Sequence, residues 1–323
     1  MDAKNFALIG AAGYIAPRHM RAIQETGNNL IAALDPSDSV GQLDQFGYDV
    51  AFFTEFERFD RYAEKLRRSK SDNKIDYVSI CSPNYLHDAH IRFTLRIGAD
   101  AICEKPIVIN PWNVDALAEL ERESGNRVYT VLQLRTHPNI ISLREKIKKA
   151  SPEKKYDINL TYITSRGRWY FTSWKGDIYK SGGIATNIGV HFFDMLLWIF
   201  GDLRRQEVHL STPEKMSGYL ELEKANVRWF LSVDHHDLPE AALDKKQSTY
   251  RSITYDGKEI DFSGGFTDLH TAVYQDILTG GGYGMMDARP AIDLVYQLRH
   301  AKVQSQSTNI HPFLGDKRLK GTN

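Results

Sequence analysis

The chain has 323 residues, 42% of them hydrophobic, and 41 Lys+Arg balance 41 Asp+Glu for a formal net charge of zero. That length buries a large core and ordinarily divides into two domains. A balanced charge argues against an extended nucleic-acid surface as the main partner. The two cysteines, Cys81 and Cys103, both close strand-like runs and read as reduced core thiols, the state expected in a cytoplasm.

Taken in chain order, Met1–Gly10 carries one lysine and a short apolar run interrupted by a turn. It lacks the longer apolar stretch of a signal peptide, and no part of the chain reads as long enough to span a membrane. The expectation is a soluble, intracellular protein. Residues 6–131 then alternate strand and helix patterns. Phe6–Ile9, Leu30–Leu34, Val50–Phe53, Tyr77–Cys81, Ala101–Cys103 and Val128–Leu132 are short apolar runs suited to strands buried on both faces. Helical patterns lie between them at Phe56–Arg68, Asp88–Ile97 and Asn113–Glu123, with Pro111 at a sensible helix start. Such alternation gives an α/β fold with a doubly wound parallel sheet, here a Rossmann domain over residues 1–132.

The pattern then changes. After a helix at Asn139–Lys149, and apart from one at Asn187–Phe200, residues 156–262 are mostly strand-like. Tyr156–Thr164, Glu207–Thr212, Gly218–Glu223, Val227–Asp234 and Ser252–Tyr255 alternate apolar and polar residues, as a mostly antiparallel sheet open on one face does. Helices near Thr267–Leu278 and Ala288–Val303 and a polar tail from Ser305 complete a C-terminal α/β domain, residues 133–323.

Several segments carry chemistry. Gly10-Ala11-Ala12-Gly13-Tyr14-Ile15 follows the first strand, and small residues there let backbone N–H groups approach a pyrophosphate at a helix N-terminus. The run is G-A-A-G-x-x-A, and glycine turns also follow strands in unrelated α/β proteins. Asp35 ends the second strand, where a carboxylate accepts both ribose hydroxyls and repels a 2′-phosphate. That favours NAD over NADP, although Asp35 also reads as a turn-starting residue before Pro36. The loop Ser82-Pro83-Asn84 with His87 is placed to cover a cofactor or simply to cap the next helix. Gln133-Leu134-Arg135 follows the sixth strand in the same way.

Glu104-Lys105-Pro106 ends the fifth strand, and a lysine there is rarely buried without a partner. Gly182–Asp194 sets His191 in the first turns of an apolar helix behind glycines. Lysine and imidazole over a nucleotide sheet suit alcohol oxidation: an ammonium stabilises the forming alkoxide and an imidazole takes the hydroxyl proton. A lone histidine on an apolar helix is otherwise a packed core residue. Between Thr164 and Lys175, cations, hydroxyls and aromatics cluster. Arg168 or Arg135 suits a sugar carboxylate and Tyr170 a sugar ring, unless the segment is a strand with one solvated face. His235-His236 on a strand would point to opposite faces, so no metal site is expected.

These motifs, with Trp174-Lys175-Gly176-Asp177, resemble the glucose–fructose oxidoreductase / inositol dehydrogenase family over nearly the whole chain. Gly10–His19, Ser79–His87 and Ile184–Asp194 look like its bacterial UDP-N-acetyl-2-amino-2-deoxyglucuronate 3-dehydrogenases. The resemblance implies bound NAD, a UDP-sugar substrate whose 3-hydroxyl is oxidised, a place in surface-polysaccharide (O-antigen) synthesis, and a homodimer or homotetramer built through the second sheet. Rivals on the same fold are a polyol or simple-sugar dehydrogenase and a non-catalytic NAD-sensing regulator. The residues expected at the cofactor are Gly10, Ala11, Ala12, Gly13, Tyr14, Ile15, Asp35, Ser82, Pro83, Asn84, His87, Glu104, Lys105, Gln133, Trp174 and Lys175. Those expected at substrate are Lys105, Arg135, Arg168, Tyr170, Asn187 and His191, with Lys105 and His191 catalytic. Asn187 stands where the family often has Asp, so it orients and takes no proton. Lys175 stands where relatives often carry arginine, a less rigid contact.

Overall fold

The computed structural model describes residues 2–69, 74–260, 269–304 and 306–314. By contacts the chain forms two units, residues 1–136 with 265–289, and residues 137–264 with 290–323. The division differs from the expected one because residues 265–289 return to the first unit. There Val273, Tyr274 and Ile277 complete an apolar cluster with Phe6, Ala22, Ile23, Ile102 and Val131.

In the first unit six parallel strands, β1 (Asn5–Ile9), β2 (Asn29–Leu34), β3 (Ala51–Phe53), β4 (Tyr77–Ile80), β5 (Asp100–Cys103) and β6 (Val128–Thr130), form a sheet in the order β3-β2-β1-β4-β5-β6. Residues 6–9, 32–34, 78–80 and 101–103 are buried, which is why these strands read as apolar runs rather than alternations. The helices are α1 (Ala16–Glu25), α2 (Phe56–Arg68), α3 (His87–Arg96) and α4 (Pro111–Ser124). Strand order reverses between β1 and β4, and ligands of such sheets bind beyond the strand carboxyl ends at that point. Cys81 and Cys103 are free and buried.

The second unit begins with α5 (Pro138–Lys149). Its sheet contains β7 (Tyr156–Thr164), β8 (Leu203–Ser211), β9 (Lys215–Leu222), β10 (Ala225–Ser232), β11 (Thr249–Tyr255) and β12 (Lys258–Glu259), in the order β12-β11-β7-β10-β9-β8. Among the described strands of this sheet, β7 and β10 pair in parallel and the other strand pairs are antiparallel. The segment after β7 is not a strand: it turns into a single helical turn, α6 (Trp169–Thr172), and then α7 (Ile178–Ser181). A π-turn at Ala185–Gly189 leads into α8 (Val190–Phe200). Phe193 of α8 meets Trp229 of β10 edge-on at 5.3 Å. A Cβ on Gly189 would lie 2.7 Å from Leu231 Cδ1, so glycine lets the π-turn rest directly on β10. On the opposite face, expected to be open, Phe230 and Ile163 are covered by Leu238, Ala242 and Leu314. Ala242 belongs to the short helix α9 (Glu240–Asp244) and Leu314 to the tail.

The run Ile178–Phe200, 23 residues, holds an 18-residue window of mean hydropathy 1.4 that is apolar enough for a membrane span, contrary to expectation, but 72% of that window is buried inside the fold. Glycines at positive φ, Gly182 and Gly183, also interrupt it, and its apolarity is that of a core helix. The remaining helices are α10 (Leu269–Leu278), in the first unit, and α11 (Met285–His300). Thr267 and Asp268, expected in the helix now labelled α10, lie outside the described residues, as do residues 261–262 of the strand-like region and Ser305 and 315–323 of the tail.

Candidate active site

At the reversal point of the first sheet the chain must turn within van der Waals reach of the neighbouring strand. Gly10 has φ +94°, and a Cβ there would sit 2.7 Å from the Cys81 carbonyl carbon and 2.8 Å from the Ser82 nitrogen. Only glycine meets both conditions. The N–H groups of Ala11, Ala12 and Gly13 are engaged on Leu34 O, Asp35 Oδ2 and Gly10 O. The opening of α1 is therefore presented by Tyr14 and Ile15, with Tyr14 90% exposed. Asp35 accepts from Ala12 N and, through Oδ1, from Ser37 N, each at 2.9 Å. It combines the turn-capping role with a carboxylate presented at the end of β2. Small residues, a helix N-terminus and this carboxylate fit a dinucleotide's pyrophosphate and ribose.

The loop after β4 is tied to the turn after β5. His87, fully buried, places Nδ1 2.7 Å from Pro106 O and Nε2 2.8 Å from Ser82 O. Burial, the larger effect, lowers its pKa against the pull of those carbonyls. Expected at the cofactor, His87 instead clamps the Ser82 loop to the turn that carries Lys105. Ser82 Oγ pairs with His90 Nδ1 at 2.8 Å, and Asn84 is buried.

Lys105 is largely buried, its side chain 15% exposed, and precedes a cis peptide bond to Pro106. Its Nζ donates to Glu104 Oε2 at 3.0 Å; with the Gln133 amide turned so that its nitrogen donates to Val131 O, the Gln133 oxygen accepts from Nζ at 3.1 Å. An ammonium has three protons, and two of them have partners here. Glu104 departs from the cofactor contact expected of it: its carboxylate turns inward, receiving His19 Nε2 and His270 Nε2 on Oε1, each at 3.0 Å. Burial alone would raise its pKa, but the Lys105 ammonium and the two imidazole N–H groups hold it well below the usual carboxylate range. Arg135 is also committed within this unit. Its guanidinium donates to Asp287 O at 2.8 Å and lies 4.8 Å over the Tyr283 ring.

In the second unit the buried Tyr170 Oη accepts from Asn187 Nδ2 at 2.8 Å, so Asn187 orients an aromatic hydroxyl. Arg168 and Trp169 are exposed. Lys175 Nζ lies 4.2 Å over the Trp174 ring, and burial, then Arg166, lowers the pKa of Lys175. Tyr170, Lys175, Gly182 and Gly183 line a cavity of about 390 Å³, together with Ser211, Thr212 and Arg299. Those last three had no signal in the sequence, since separate elements bring them in. His191, half-buried as the second residue of α8, packs on Phe192 and edge-on to Tyr162.

His235 and His236 form a helical turn rather than a strand, and a carboxylate does accompany them: Asp234 Oδ1 pairs with His236 Nδ1 at 2.9 Å. The expectation that they diverge is corrected. A second histidine–carboxylate group, His19–Glu104–His270, is buried and went unnoticed because its members are far apart in sequence.

Residues 4–132 match the oxidoreductase family model for an NAD-binding Rossmann fold, and residues 154–237 match that family's C-terminal α/β domain. The chain is 51% identical to the WlbA (WbpB) dehydrogenase of Thermus thermophilus solved with NAD and alpha-ketoglutarate, at a TM-score of 0.91, covering 96% of this chain and 99% of that one. The same enzyme solved with NAD and UDP-GlcNAcA gives 50% identity at the same TM-score and coverage. Among curated sequences, the chain is 27% identical over 200 residues to the oxidoreductase YgjR of Escherichia coli K12, covering 61% of this chain and 58% of that one. It is 26% identical over 201 residues to the inositol 2-dehydrogenase of Rhizobium meliloti, covering 61% and 55%; the matches thus span little more than half of either curated relative. With both domains matched in order and half the residues shared with a complete structure, the chain belongs to the GFO/IDH/MocA family of NAD-binding oxidoreductases.

Proposed function

We propose that the protein oxidises the 3-hydroxyl of UDP-linked N-acetylglucosaminuronic acid to the 3-keto sugar in bacterial surface-polysaccharide synthesis, as a cytoplasmic homodimer or homotetramer. One observation carries the reaction class: an ammonium that, among the described residues, has two partners for its three protons, fixed at the carboxyl edge of an NAD-type sheet. The substrate rests on the Thermus enzyme solved with UDP-GlcNAcA. Tyr14 and Ile15 offer N–H groups to the pyrophosphate, and Asp35 accepts from the ribose. NAD, when bound, supplies the hydride acceptor. Lys105 donates to the reacting hydroxyl and stabilises the alkoxide, and His191 accepts the proton.

Discrimination of the acid from neutral UDP-N-acetylglucosamine needs a local cation, since the net charge is zero. Arg135 is engaged elsewhere and Arg168 is exposed. Lys175 is a half-buried cation beside Arg166, and an anion there relieves its burial. A charged hydrogen bond in such a place is worth roughly 1.5–3 kcal/mol. Initial rates of NADH formation should therefore favour the acid by about ten- to a hundredfold in kcat/KM. Lys175→Met should collapse that ratio, while Arg168→Leu leaves most of it. Faster turnover of myo-inositol than of either UDP-sugar would replace this reading with a polyol dehydrogenase. No NADH from any substrate would favour a non-catalytic sensor.

Cofactor choice is tested separately. Asp35→Ala should weaken NAD binding and narrow its advantage over NADP, because ribose hydrogen bonds and a charge repulsive to the 2′-phosphate are lost together. Calorimetric titration of both dinucleotides reads the effect. Equal affinity of the unmutated protein for both would remove Asp35 from that role.

A further inference from the structure

Glu104 accepts at both oxygens and is joined to a longer buried chain. His19 Nε2 and His270 Nε2 meet on Oε1, while Lys105 Nζ and the Lys105 backbone N–H, at 3.0 and 3.2 Å, meet on Oε2. Behind His19, the Tyr274 hydroxyl lies 2.8 Å from Nδ1, and Ser79 Oγ lies 2.6 Å from that hydroxyl. The two imidazoles pack edge-on at 5.0 Å, and His19 also meets the Tyr274 ring edge-on at 5.7 Å. Ser79, His19 and Tyr274 have no exposed surface. Among the described residues the contacts behind His19 thus end inside the protein. Lysine is a point charge on a flexible stem, so a carboxylate saturated from the other side fixes where its ammonium sits.

We propose that His19 and His270, with Tyr274 behind His19, are positioning residues for Lys105 acting through Glu104; the inference rests on the reading that Lys105 acts on the substrate hydroxyl. His19 comes from α1 and His270 and Tyr274 from α10, so two helices at opposite ends of the sequence set one carboxylate. Burial holds the His270 pKa down at about 4, with the Glu104 bond opposing it. The ring is neutral at pH 7 and serves as an N–H donor. Both nitrogens lie at hydrogen-bond distance from the oxygen they share, and a metal ion would compete for the same three side chains. A liganded ion would sit about 2.0–2.2 Å from each ligand and displace both protons.

The test compares His270→Phe, His270→Gln and Tyr274→Phe in the unmutated protein and in Lys105→Ala, using UDP-GlcNAcA and NAD. A catalytic group displaced by about an ångström loses up to about a hundredfold in rate. His270→Phe should lower kcat by about ten- to fiftyfold, with KM and NAD affinity held within about threefold. His270→Gln, which keeps an N–H, should restore much of that rate. In Lys105→Ala, His270→Phe should change kcat by less than about twofold, since the group it positions is gone. If His270→Phe does not fold, Tyr274→Phe removes one oxygen and carries the same comparison, with a smaller loss in the unmutated protein and none in Lys105→Ala. An equal loss in both backgrounds, or stoichiometric metal in the purified protein, would overturn the inference while leaving Lys105 in its role. A Lys105→Ala protein with unmutated turnover would instead remove the catalytic reading, and the inference with it.

Discussion

Lys105→Ala and His191→Ala are each expected to lower kcat by at least about 10²-fold, with NAD affinity little changed. The expectation follows from what each side chain has left to do. Lys105 is held by Glu104 and Gln133 with one proton to give, and a positioned acid or base contributes typically 10²–10⁴-fold. His191 opens α8, half-buried against Phe192 and Tyr162, and its imidazole is the proton acceptor in the proposed reaction. Both act on the transferring proton and the alkoxide, not on the dinucleotide, so the loss falls on kcat and kcat/KM together. Steady-state kinetics with fluorescence titration of NAD would read both quantities. Turnover near that of the unmutated protein in either variant removes that residue from the mechanism.

Gly10→Ala should cost the first unit both stability and cofactor. An Ala at φ +94° pays about 1–2 kcal/mol for its backbone conformation. Its Cβ would also stand 2.7 Å from the carbonyl of Cys81, and such overpacking adds about 1–3 kcal/mol. The sum lowers Tm by roughly 4–20 °C at about 2–4 °C per kcal/mol, and NAD affinity falls because the turn that shapes the pyrophosphate cradle shifts. Gly98→Ala separates the two causes: Gly98 has φ +77° but nothing within 4 Å of a Cβ, so it should lose only the conformational part. Equal losses in calorimetric unfolding of the two variants would show that the contact with the Cys81–Ser82 backbone is unimportant.

The first sheet was readable because its strands are buried on both faces and leave unbroken apolar runs, and the glycine turn, Asp35 and the Lys105 turn lie where strand ends put them. The second sheet was readable as alternation, but its edges were not: β8 begins at Leu203 and β9 at Lys215, earlier than the apolar residues suggest. The one-turn helix α6 was hidden because its aromatics and cations fit a strand as well. What sequence could not show was mostly long-range. His270, Tyr274 and Asp287 come to Glu104, His19 and Arg135 from more than a hundred residues away, and no local pattern announces such pairs. They explain why Arg135 and Glu104, legible as polar residues at strand ends, face inward rather than toward a ligand.

The return of α10 to the first unit has a consequence for how the protein is made. A ribosome releases the six strands of the parallel sheet early, yet the cluster of Phe6, Ile23, Ile102 and Val131 has no cover until Val273, Tyr274 and Ile277 arrive. Until then the nascent sheet carries an apolar face and a Glu104–Lys105 pair with His19 but without His270. The dinucleotide unit is finished only after all six described strands of the second sheet have been synthesised. A chain cut at the end of the strand-and-helix alternation is a sheet missing the helix that completes its apolar cluster.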